Sequence, residues 1–214
     1  RGMFSIIILD DYKNIFLCFR DRLGQKPLYY SKYKNGLVLS SEIKDIIHFK
    51  KKNQINENKK KIIKYLNVGQ DSGNETFFTN IFSFPPSSIG IIKKGSIIVK
   101  KYWKLDINKN KKFYEDEFED VFSNNIKIHL RSDVPIAFTL SGGFDSSMVV
   151  KESLNHLQKY NTYSLYSDSE KKLYEKKHIL EFVKNNSLNH DFFNIDMSKK
   201  DLIEKYVRCV DEPS

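Results

Sequence analysis

From Phe113 onwards, segments with helical periodicity alternate with short apolar runs that are typical of buried strands. Phe118, Val121 and Phe122 lie on one side of a predicted helix that reaches about Leu130. Strands are then predicted at 134–140, 162–166 and 191–195, with helices at 147–160 and 174–183 and a last helix through Arg208, opened by a capping box of Ser198 and Asp201. Because strand and helix alternate, we predict a parallel sheet covered by helices on both faces.

The first hundred residues instead indicate paired strands. Three hairpins are predicted, between segments 4–9 and 15–19, 27–30 and 37–40, and 89–92 and 97–101. Polar turn residues separate the members of each pair. The second hairpin turns at Lys34-Asn35-Gly36, where Asn-Gly readily takes positive φ, and the third turns at Lys94-Gly95. This part therefore predicts antiparallel sheets.

One helix is predicted between the second and third hairpins. We expect Asn56 to cap the start of this helix and Gly69 to end it. Ile62, Ile63 and Leu66 would form its apolar side. Residues 70–80 then have the polar composition of an exposed loop.

The two patterns meet at residues 106–112, which are rich in Asn and Lys, lack periodicity and form the best candidate linker. We predict an α+β domain with antiparallel sheets at 1–105 and an α/β parallel-sheet domain at 113–214. A chain of 214 residues has room for two small domains. The second domain would be present as its first half only.

Composition excludes several classes of protein. The formal net charge is +9, but the lysines are spread along the chain, so we predict no nucleic-acid partner. No apolar run approaches the roughly 18 residues that span a bilayer, and no signal-peptide pattern is present, so no membrane partner is expected. Cys18 and Cys209 match no disulfide or metal framework, and we interpret both as core thiols of a cytoplasmic protein.

The stretch from Leu140 to Ser147 carries the chemistry. A predicted strand leads directly into Ser141-Gly142-Gly143-Phe144-Asp145-Ser146-Ser147, which leads into a helix. Glycines let the backbone bend sharply and approach a ligand, and unpaired N–H groups at a helix start attract anions. The Ser141, Ser146 and Ser147 hydroxyls can donate to phosphate oxygens. Asp145 would repel a phosphate directly, so we predict that it holds Mg²⁺ bound to that phosphate.

This loop is no Walker A loop, because no Gly-Lys-Ser/Thr follows. It resembles the PP-loop of the ATP pyrophosphatases, which split ATP between its α- and β-phosphates. Phe144 stands where leucine is common in that loop. The resemblance implies ATP and Mg²⁺ as ligands.

Five further segments resemble the glutamine-hydrolysing asparagine synthetases, in the order and spacing of that family. Residues 20–30, RDRLGQKPLYY, resemble its R-D-x-x-G-x-x-P-L-Y-Y signature. The other four are GMF at 2–4, SEIK at 41–44, SDVP at 132–135 and DEP at 211–213. From the residues alone, Arg20 and Asp21 suit a turn, and Asp211 and Glu212 suit either an acidic helix end or a position near Mg²⁺ or substrate.

The resemblance implies an N-terminal-nucleophile glutaminase domain followed by a PP-loop synthetase domain. Glutamine would supply ammonia, ATP would adenylate the aspartate side chain, and ammonia would displace AMP in an enzyme of asparagine biosynthesis. By motif, Leu140, Ser141, Gly142, Gly143, Asp145, Ser146 and Ser147 would bind ATP phosphates. Leu165, in Tyr163-Ser164-Leu165-Tyr166, resembles the residue that touches adenine. A homodimer is a candidate assembly.

Two family features have no counterpart in this sequence. Arg1 stands where the family has its nucleophilic cysteine, and the family's S-G-E-G-x-D-E loop would follow Ser214. We therefore expect an internal piece of a longer protein, without catalytic residues of its own, without glutaminase activity and unable to make asparagine.

Three alternatives stay open. One is a sister amidotransferase that acts on a sugar or a β-lactam precursor. Another is a tRNA-modifying PP-loop enzyme, although such proteins commonly carry the loop near the start of the chain. The third is a non-catalytic remnant that binds no ATP.

Overall fold

The computed structural model describes residues 2–50, 55–69, 73–107, 112–157, 160–166, 170–194 and 200–211. The chain divides into two compact units, one made of Arg1–Ile107 with Glu204–Ser214 and the other of Asn108–Ile203. Most of the predicted linker at 106–112, and Ser198 of the predicted capping box, lie outside the described residues. The predicted domain boundaries stay a prediction.

The described part of the first unit holds two antiparallel sheets. Its strands are β1 (Ser5–Asp10), β2 (Ile15–Arg20), β3 (Tyr29–Tyr33), β4 (Gly36–Ser40), β5 (Ile81–Ser83), β6 (Ser88–Lys93) and β7 (Ser96–Lys101). The first sheet has the order β1-β2-β6-β7 and the second the order β4-β3-β5. All three predicted hairpins are confirmed. The short strand β5 was not predicted. Its Ile81 is buried, although the polar Asn80 directly before it is exposed and Phe82 directly after it is half-buried.

The two sheets of the first unit pack face to face. Cys18, Leu28, Phe84 and Ile92 form the buried cluster between them. The helix α1 (Ile43–Lys50) covers the outer face of the second sheet, where Ile43 and Ile46 pack with Ile81. Alternating side chains on β3 and β4 therefore contribute to two different cores, as expected for an antiparallel sheet that is covered on both faces.

Turn geometry differs between the second and third hairpins. The third hairpin turns at Lys94-Gly95 as predicted, and both residues have positive φ, +48° and +75°. In the second hairpin, the residue with positive φ is Lys34, at +50°. Gly36 pairs with Tyr33 and is the first residue of β4, so it lies outside the turn. The predicted role of Asn35-Gly36 in supplying positive φ was therefore wrong.

The helix α2 (Lys59–Val68) begins later than predicted. Asn58 is its cap, since the Asn58 side chain accepts from the Lys61 N–H at 3.3 Å. The Asn56 carbonyl instead accepts from Thr79, at 2.8 Å. The predicted end at Gly69 is confirmed, with φ at +70° and its N–H bonded to the Tyr65 carbonyl.

The predicted apolar side of α2 was wrong. Ile63 is 59% exposed and Leu66 75% exposed, whereas Lys61 is buried. Tyr65, one turn after Lys61, packs edge-to-face on Phe77 with ring centroids 5.3 Å apart. The face that carries Lys61 and Tyr65 thus lies against the chain segment around Phe77. Ile63 and Leu66 are exposed, and only Ile62 of the predicted apolar side is half-buried.

The second unit alternates helix and strand. Its elements are α3 (Glu115–His129), β8 (Ala137–Thr139), α4 (Phe144–Ser153), β9 (Asn161–Tyr166), α5 (Glu170–Asn185) and β10 (Asn189–Asn194), and α6 (Lys200–Val210) runs across the boundary between the units. The sheet has the order β10-β9-β8 and is parallel throughout. The predicted fold class, α+β followed by α/β, is confirmed.

Both elements around the Ser/Gly loop have bounds that differ from the prediction. The strand is confined to 137–139, and Val134 is 69% exposed. The helix begins at Phe144 inside the loop, with Gly143 as its cap, and ends at Ser153. Tyr160 lies past the helix, where its hydroxyl donates to the Val150 carbonyl at 3.0 Å.

The described helices cover one face of the parallel sheet. Leu140, Val150 and Ile179 form the buried cluster between this face and helices α4 and α5. The side chains of Leu165 and Phe193, on the other face, are 63% and 52% exposed. Two right-handed crossovers that step in the same direction place both helices on one side, so coverage of both faces is not found in this part of the chain.

Candidate functional site

The Ser/Gly loop is anchored where it leaves β8. Leu140 is buried, and its N–H donates to the Tyr163 carbonyl at 2.8 Å. The Leu140 carbonyl in turn accepts from the Ser164 hydroxyl. These two bonds hold the first loop residue on β9, at the carboxyl end of the sheet, where ligands of open α/β sheets bind.

Gly142 makes the bend. Its φ is +79°, a conformation that costs about 1–2 kcal/mol for a residue with a Cβ. A Cβ there would lie 3.1 Å from Ile179 Cγ1 and 3.2 Å from the Glu175 carbonyl oxygen. The helix α5 therefore lies directly behind the loop, and only glycine fits this position without strain.

Helix α4 begins two residues later, at Phe144. The first helical hydrogen bond runs from the Ser147 N–H to the Gly143 carbonyl, at 3.2 Å. The N–H groups of Phe144, Asp145 and Ser146 precede that bond, and no described residue accepts a hydrogen bond from them. Three consecutive N–H donors of this kind, together with the positive end of the helix dipole, favour a nearby anion.

Two of the three predicted phosphate-binding hydroxyls also bond within the loop. The Ser141 and Ser146 oxygens are 3.0 Å apart, and the Ser146 hydroxyl donates to the Gly143 carbonyl at 3.2 Å. The N–H groups of Ser141 and Gly143 contact the same hydroxyls at 3.3 and 3.4 Å. These bonds join residues 141, 143 and 146 within the loop. Sequence reasoning did not find this internal role.

Asp145 lies in the first turn of α4 with an exposed side chain. Its carboxylate has no ion-pair or hydrogen-bond partner among the described residues. The described chain also contains no group of three acidic, histidine or cysteine side chains placed around a metal. A lone carboxylate suits Mg²⁺, which is commonly held by one or two carboxylates together with substrate phosphates and water.

Leu165 is brought to the same edge of the sheet. Leu140 bonds to Tyr163, and Leu165 is two residues further along β9. Leu165 therefore lies beside the start of the loop. Its exposed side chain is on the face opposite α4 and α5. All eight predicted ATP-binding residues therefore lie at the carboxyl end of β8 or β9. Ser164, Glu175 and Ile179 support the loop and carry no local sequence signal.

Two family profiles match the chain, one in each half. Residues 1–103 match the glutamine amidotransferase domain, and residues 117–214 match asparagine synthase. A protein named as a candidate glutamine-hydrolyzing asparagine synthetase 2 in Methanocaldococcus jannaschii is 30% identical over 225 residues, which covers 100% of this chain and 43% of that protein. The chain belongs to the glutamine-dependent asparagine synthetase family.

Further proteins are similar to most of the chain. The glutamine-hydrolyzing asparagine synthetase 3 of Bacillus subtilis is 29% identical over 80% of this chain and 29% of its own length. Amidase chry2 of Gibberella zeae is 29% identical over 76% of this chain and 24% of its own length. The chain spans less than half the length of each of these relatives.

The Arg-Asp pair of the family signature shapes a backbone turn, which fits the structural role predicted for it. The Asp21 carboxylate is buried and accepts from four backbone N–H groups, at 2.9 to 3.3 Å, those of Phe4, Leu23, Gln25 and Lys26. Burial alone would raise the pKa of Asp21, but the four N–H groups outweigh it and hold that pKa below its ordinary value. Arg20 donates to the carbonyls of Gly24, Lys26 and Phe84 and to the Ser83 hydroxyl.

Asp211, in the Asp-Glu-Pro segment that resembles the family, caps another helix. Its carboxylate accepts from the Lys44 N–H at 3.2 Å, in the first turn of α1. A carboxylate at a helix start is stabilised by the helix dipole. This bond favours the acidic-helix-end interpretation of Asp211, and Glu212 lies outside the described residues.

A Ser, Glu and His cluster at the far end of α4 is a structural contact. Ser123 Oγ and Glu152 Oε1 both lie 3.2 Å from His156 Nε2. Because both groups use the same ring nitrogen, the cluster cannot relay a proton from serine through histidine to glutamate. It joins α3 to α4.

Among the helices in the part of the chain that the structure describes, none has the length and apolar character of a membrane-spanning segment.

Proposed function

We propose that the chain is part of an ATP-dependent amide-forming ligase of the asparagine synthetase type. The observation that carries the proposal is the set of three unpaired N–H groups at 144–146, at the carboxyl end of a parallel sheet. The two matching family profiles, a glutamine amidotransferase domain before an asparagine synthase domain, support it.

The reaction would proceed through an activated carboxylate. A carboxylate oxygen of aspartate attacks the α-phosphorus of ATP, the bond to the bridging oxygen breaks, and pyrophosphate leaves. Ammonia then attacks the carboxyl carbon, loses a proton, and expels AMP to give the amide. Water hydrolyses glutamine to glutamate and supplies that ammonia. Activation is needed because a free carboxylate is a poor electrophile, whereas AMP is a good leaving group.

In this proposal the loop holds the phosphates of ATP. The N–H groups of residues 144–146 donate to phosphate oxygens, and the positive end of the α4 dipole offsets their charge. Gly142 and Gly143 keep side chains out of the space that the phosphates occupy. The Ser147 hydroxyl, with no bond to another described residue, is free to donate. Leu140 and the Ser141–Ser146 contact keep the loop in shape.

Asp145 is the proposed protein ligand of Mg²⁺, and Leu165 the proposed contact of adenine. A bound Mg²⁺ would neutralise negative charge on the phosphates as pyrophosphate leaves. Leu165 suits adenine because its exposed aliphatic side chain stands beside the loop. We further propose ATP, aspartate and glutamine as substrates, a homodimer as the assembly, and the cytoplasm as the compartment.

A second acceptor class has support from one observation. Amidase chry2, which carries a different name from the asparagine synthetases, is as similar to this chain as the Bacillus relative is, at 29%. The residues described above would contact ATP, and none of them identifies the carboxylate that is amidated. An enzyme that amidates another carboxylate, such as a β-lactam precursor or a sugar, is therefore the alternative.

Isotope exchange between pyrophosphate and ATP separates these acceptors. The full-length protein that contains this chain is incubated with ATP, Mg²⁺ and labelled pyrophosphate, and each carboxylate is added in turn. We expect exchange that depends on aspartate. Exchange with another carboxylate but not with aspartate would support the alternative, and no exchange with any carboxylate would contradict adenylation.

A further inference from the structure

A lysine is buried in the first unit without a negatively charged partner. Lys50, the last residue of α1, is 7% exposed. Its ammonium donates to Ser31 Oγ at 2.8 Å, and no described carboxylate pairs with it. The Ser31 hydroxyl gives its own proton to the Asn80 carbonyl. At least one of the three ammonium N–H groups is therefore available for another acceptor.

Burial of this charge has a cost that the surrounding chain offsets only in part. Desolvation lowers the pKa of Lys50. The negative end of the α1 dipole favours a cation at this helix end, and Ser31 supplies one acceptor. A buried ammonium nevertheless favours an ionised partner over a neutral one. The molecule thus places an unneutralised positive charge inside the domain.

Lys50 lines an open cavity of about 600 Å³. This volume is in the range of about 300–1,000 Å³ that is usual for small-molecule sites. The polar residues around it are Lys32, Lys50, Tyr30, Asn80 and Ser96. Two of these five side chains are cationic and none is acidic, so the field in the cavity is positive.

The remaining walls of the cavity are apolar. Phe82 and Ile97 line it, and the Phe82 ring packs on the Tyr30 ring with centroids 5.5 Å apart. A phosphate requires several N–H donors around its oxygens, whereas a carboxylate on an apolar body matches one buried ammonium beside aromatic and aliphatic walls. All residues that line the cavity belong to the first unit. No residue of the Ser/Gly loop is among them, and of the signature segment at 20–30 only Tyr30 is.

We propose that this cavity binds a small organic carboxylate, with the carboxylate paired to the Lys50 ammonium and its apolar part against Phe82 and Ile97. The inference is independent of the proposed ATP chemistry, since it concerns a different unit of the chain. Lys32, which is exposed at the mouth of the cavity, adds positive charge that attracts the anion.

Calorimetric titration of the chain with acetate, butyrate, benzoate, inorganic phosphate and benzyl alcohol tests the proposal. We expect saturable binding of butyrate or benzoate, weaker binding of phosphate, and no saturation with the neutral alcohol. In Lys50→Met, which keeps the length and apolar volume of the side chain, the affinity should fall at least tenfold. Lys44→Met changes the charge of the same helix equally, and it should leave the affinity within twofold of wild type.

A labelling experiment on the wild-type chain keeps the proposal testable if Lys50→Met does not fold. Saturating butyrate should slow acetylation of Lys50, measured by mass spectrometry, at least fivefold and leave acetylation of Lys44 unchanged. Equal acetylation of Lys50 with and without the carboxylate would overturn the proposal. Unchanged affinity in a folded Lys50→Met, or phosphate or benzyl alcohol binding as tightly as the carboxylates, would overturn it too.

Discussion

The Leu140 N–H donates to the Tyr163 carbonyl across 2.8 Å, and this bond places the Ser/Gly loop beside β9. The loop then bends at Gly142 and ends at the cap of α4. The N–H groups of residues 144–146 follow that cap and have no acceptor among the described residues.

Replacing Gly142 by alanine should destabilise the second unit by about 1–3 kcal/mol, because a Cβ at positive φ adds strain and contacts the Glu175 carbonyl and Ile179. Urea denaturation measures the loss. Gly143→Ala is the matched control, since φ is −80° there and a Cβ would meet only Ser141 Oγ, at 3.4 Å. Equal stability of Gly142→Ala and wild type would show that α5 does not lie against the loop as described.

Replacing Gly95 by alanine should cost about 2–4 kcal/mol in the first unit. A Cβ on Gly95, where φ is +75°, would lie 2.0 Å from the Asn35 carbonyl oxygen, so the turns of two hairpins would have to separate. Gly36→Ala is the control in the neighbouring turn, because its Cβ would have 3.7 Å to the nearest atom. Thermal denaturation of both variants checks this prediction. Equal melting temperatures of Gly95→Ala and Gly36→Ala would contradict it.

Asp21→Asn should destabilise the chain at neutral pH and less in acid. In the asparagine variant, the amide nitrogen replaces one carboxylate oxygen and faces two backbone N–H donors that then lack an acceptor. Each donor left unsatisfied lowers the free energy of unfolding by about 1–3 kcal/mol. The folded-state pKa of Asp21 lies below the unfolded one, so the carboxylate stabilises the fold above the unfolded pKa of about 3.9. That stability is lost as pH falls through the lowered folded-state pKa.

Urea denaturation of wild type and Asp21→Asn between pH 7 and pH 3 measures this dependence. The difference in free energy of unfolding should be largest near neutrality and shrink below about pH 4. Asp11→Asn is the control, since the Asp11 side chain is exposed and bonds to no described residue. A difference that stays constant over the whole range would refute the lowered pKa.

The two thiols should react at very different rates. Burial raises the pKa of Cys18 to about 11, and its Sγ contacts the Gly90 carbonyl at 3.6 Å. Cys209 is exposed in the last turn of α6, so its interpretation as a core thiol was wrong, whereas that of Cys18 is confirmed. With a disulfide reagent at pH 8 we expect one thiol to react in the native chain and the second only in denaturant. Rapid reaction of both would contradict the buried position of Cys18.

Local signals in the sequence predicted the hairpins and the alternation of strand and helix. Turn residues such as Lys94 and Gly95, and the helix end at Gly69, act over a few positions and can be read without knowledge of distant contacts. These features needed no tertiary information. The order β10-β9-β8 was not predicted, because alternation and right-handed crossovers do not fix the direction in which successive strands are added.

The features that the sequence did not predict depend on distant partners. Ile63 and Leu66 are exposed because Tyr65 packs on Phe77, twelve residues later in the chain. Gly142 was assigned to a sharp bend and to ligand approach, but it also avoids Glu175 and Ile179 of α5. Asp211 contacts Lys44 across 167 residues. Periodicity and motif spacing hold no information about such contacts.

The central claim is that the N–H groups of residues 144–146 bind the phosphates of ATP. The most direct measurement follows these three amide resonances by ¹⁵N NMR while the chain is titrated with Mg·ATP, with pyrophosphate and with adenosine. We predict saturable shifts of the Phe144, Asp145 and Ser146 amides with Mg·ATP and pyrophosphate, and none with adenosine. Unchanged amides with Mg·ATP, or shifts as large with adenosine, would contradict the claim.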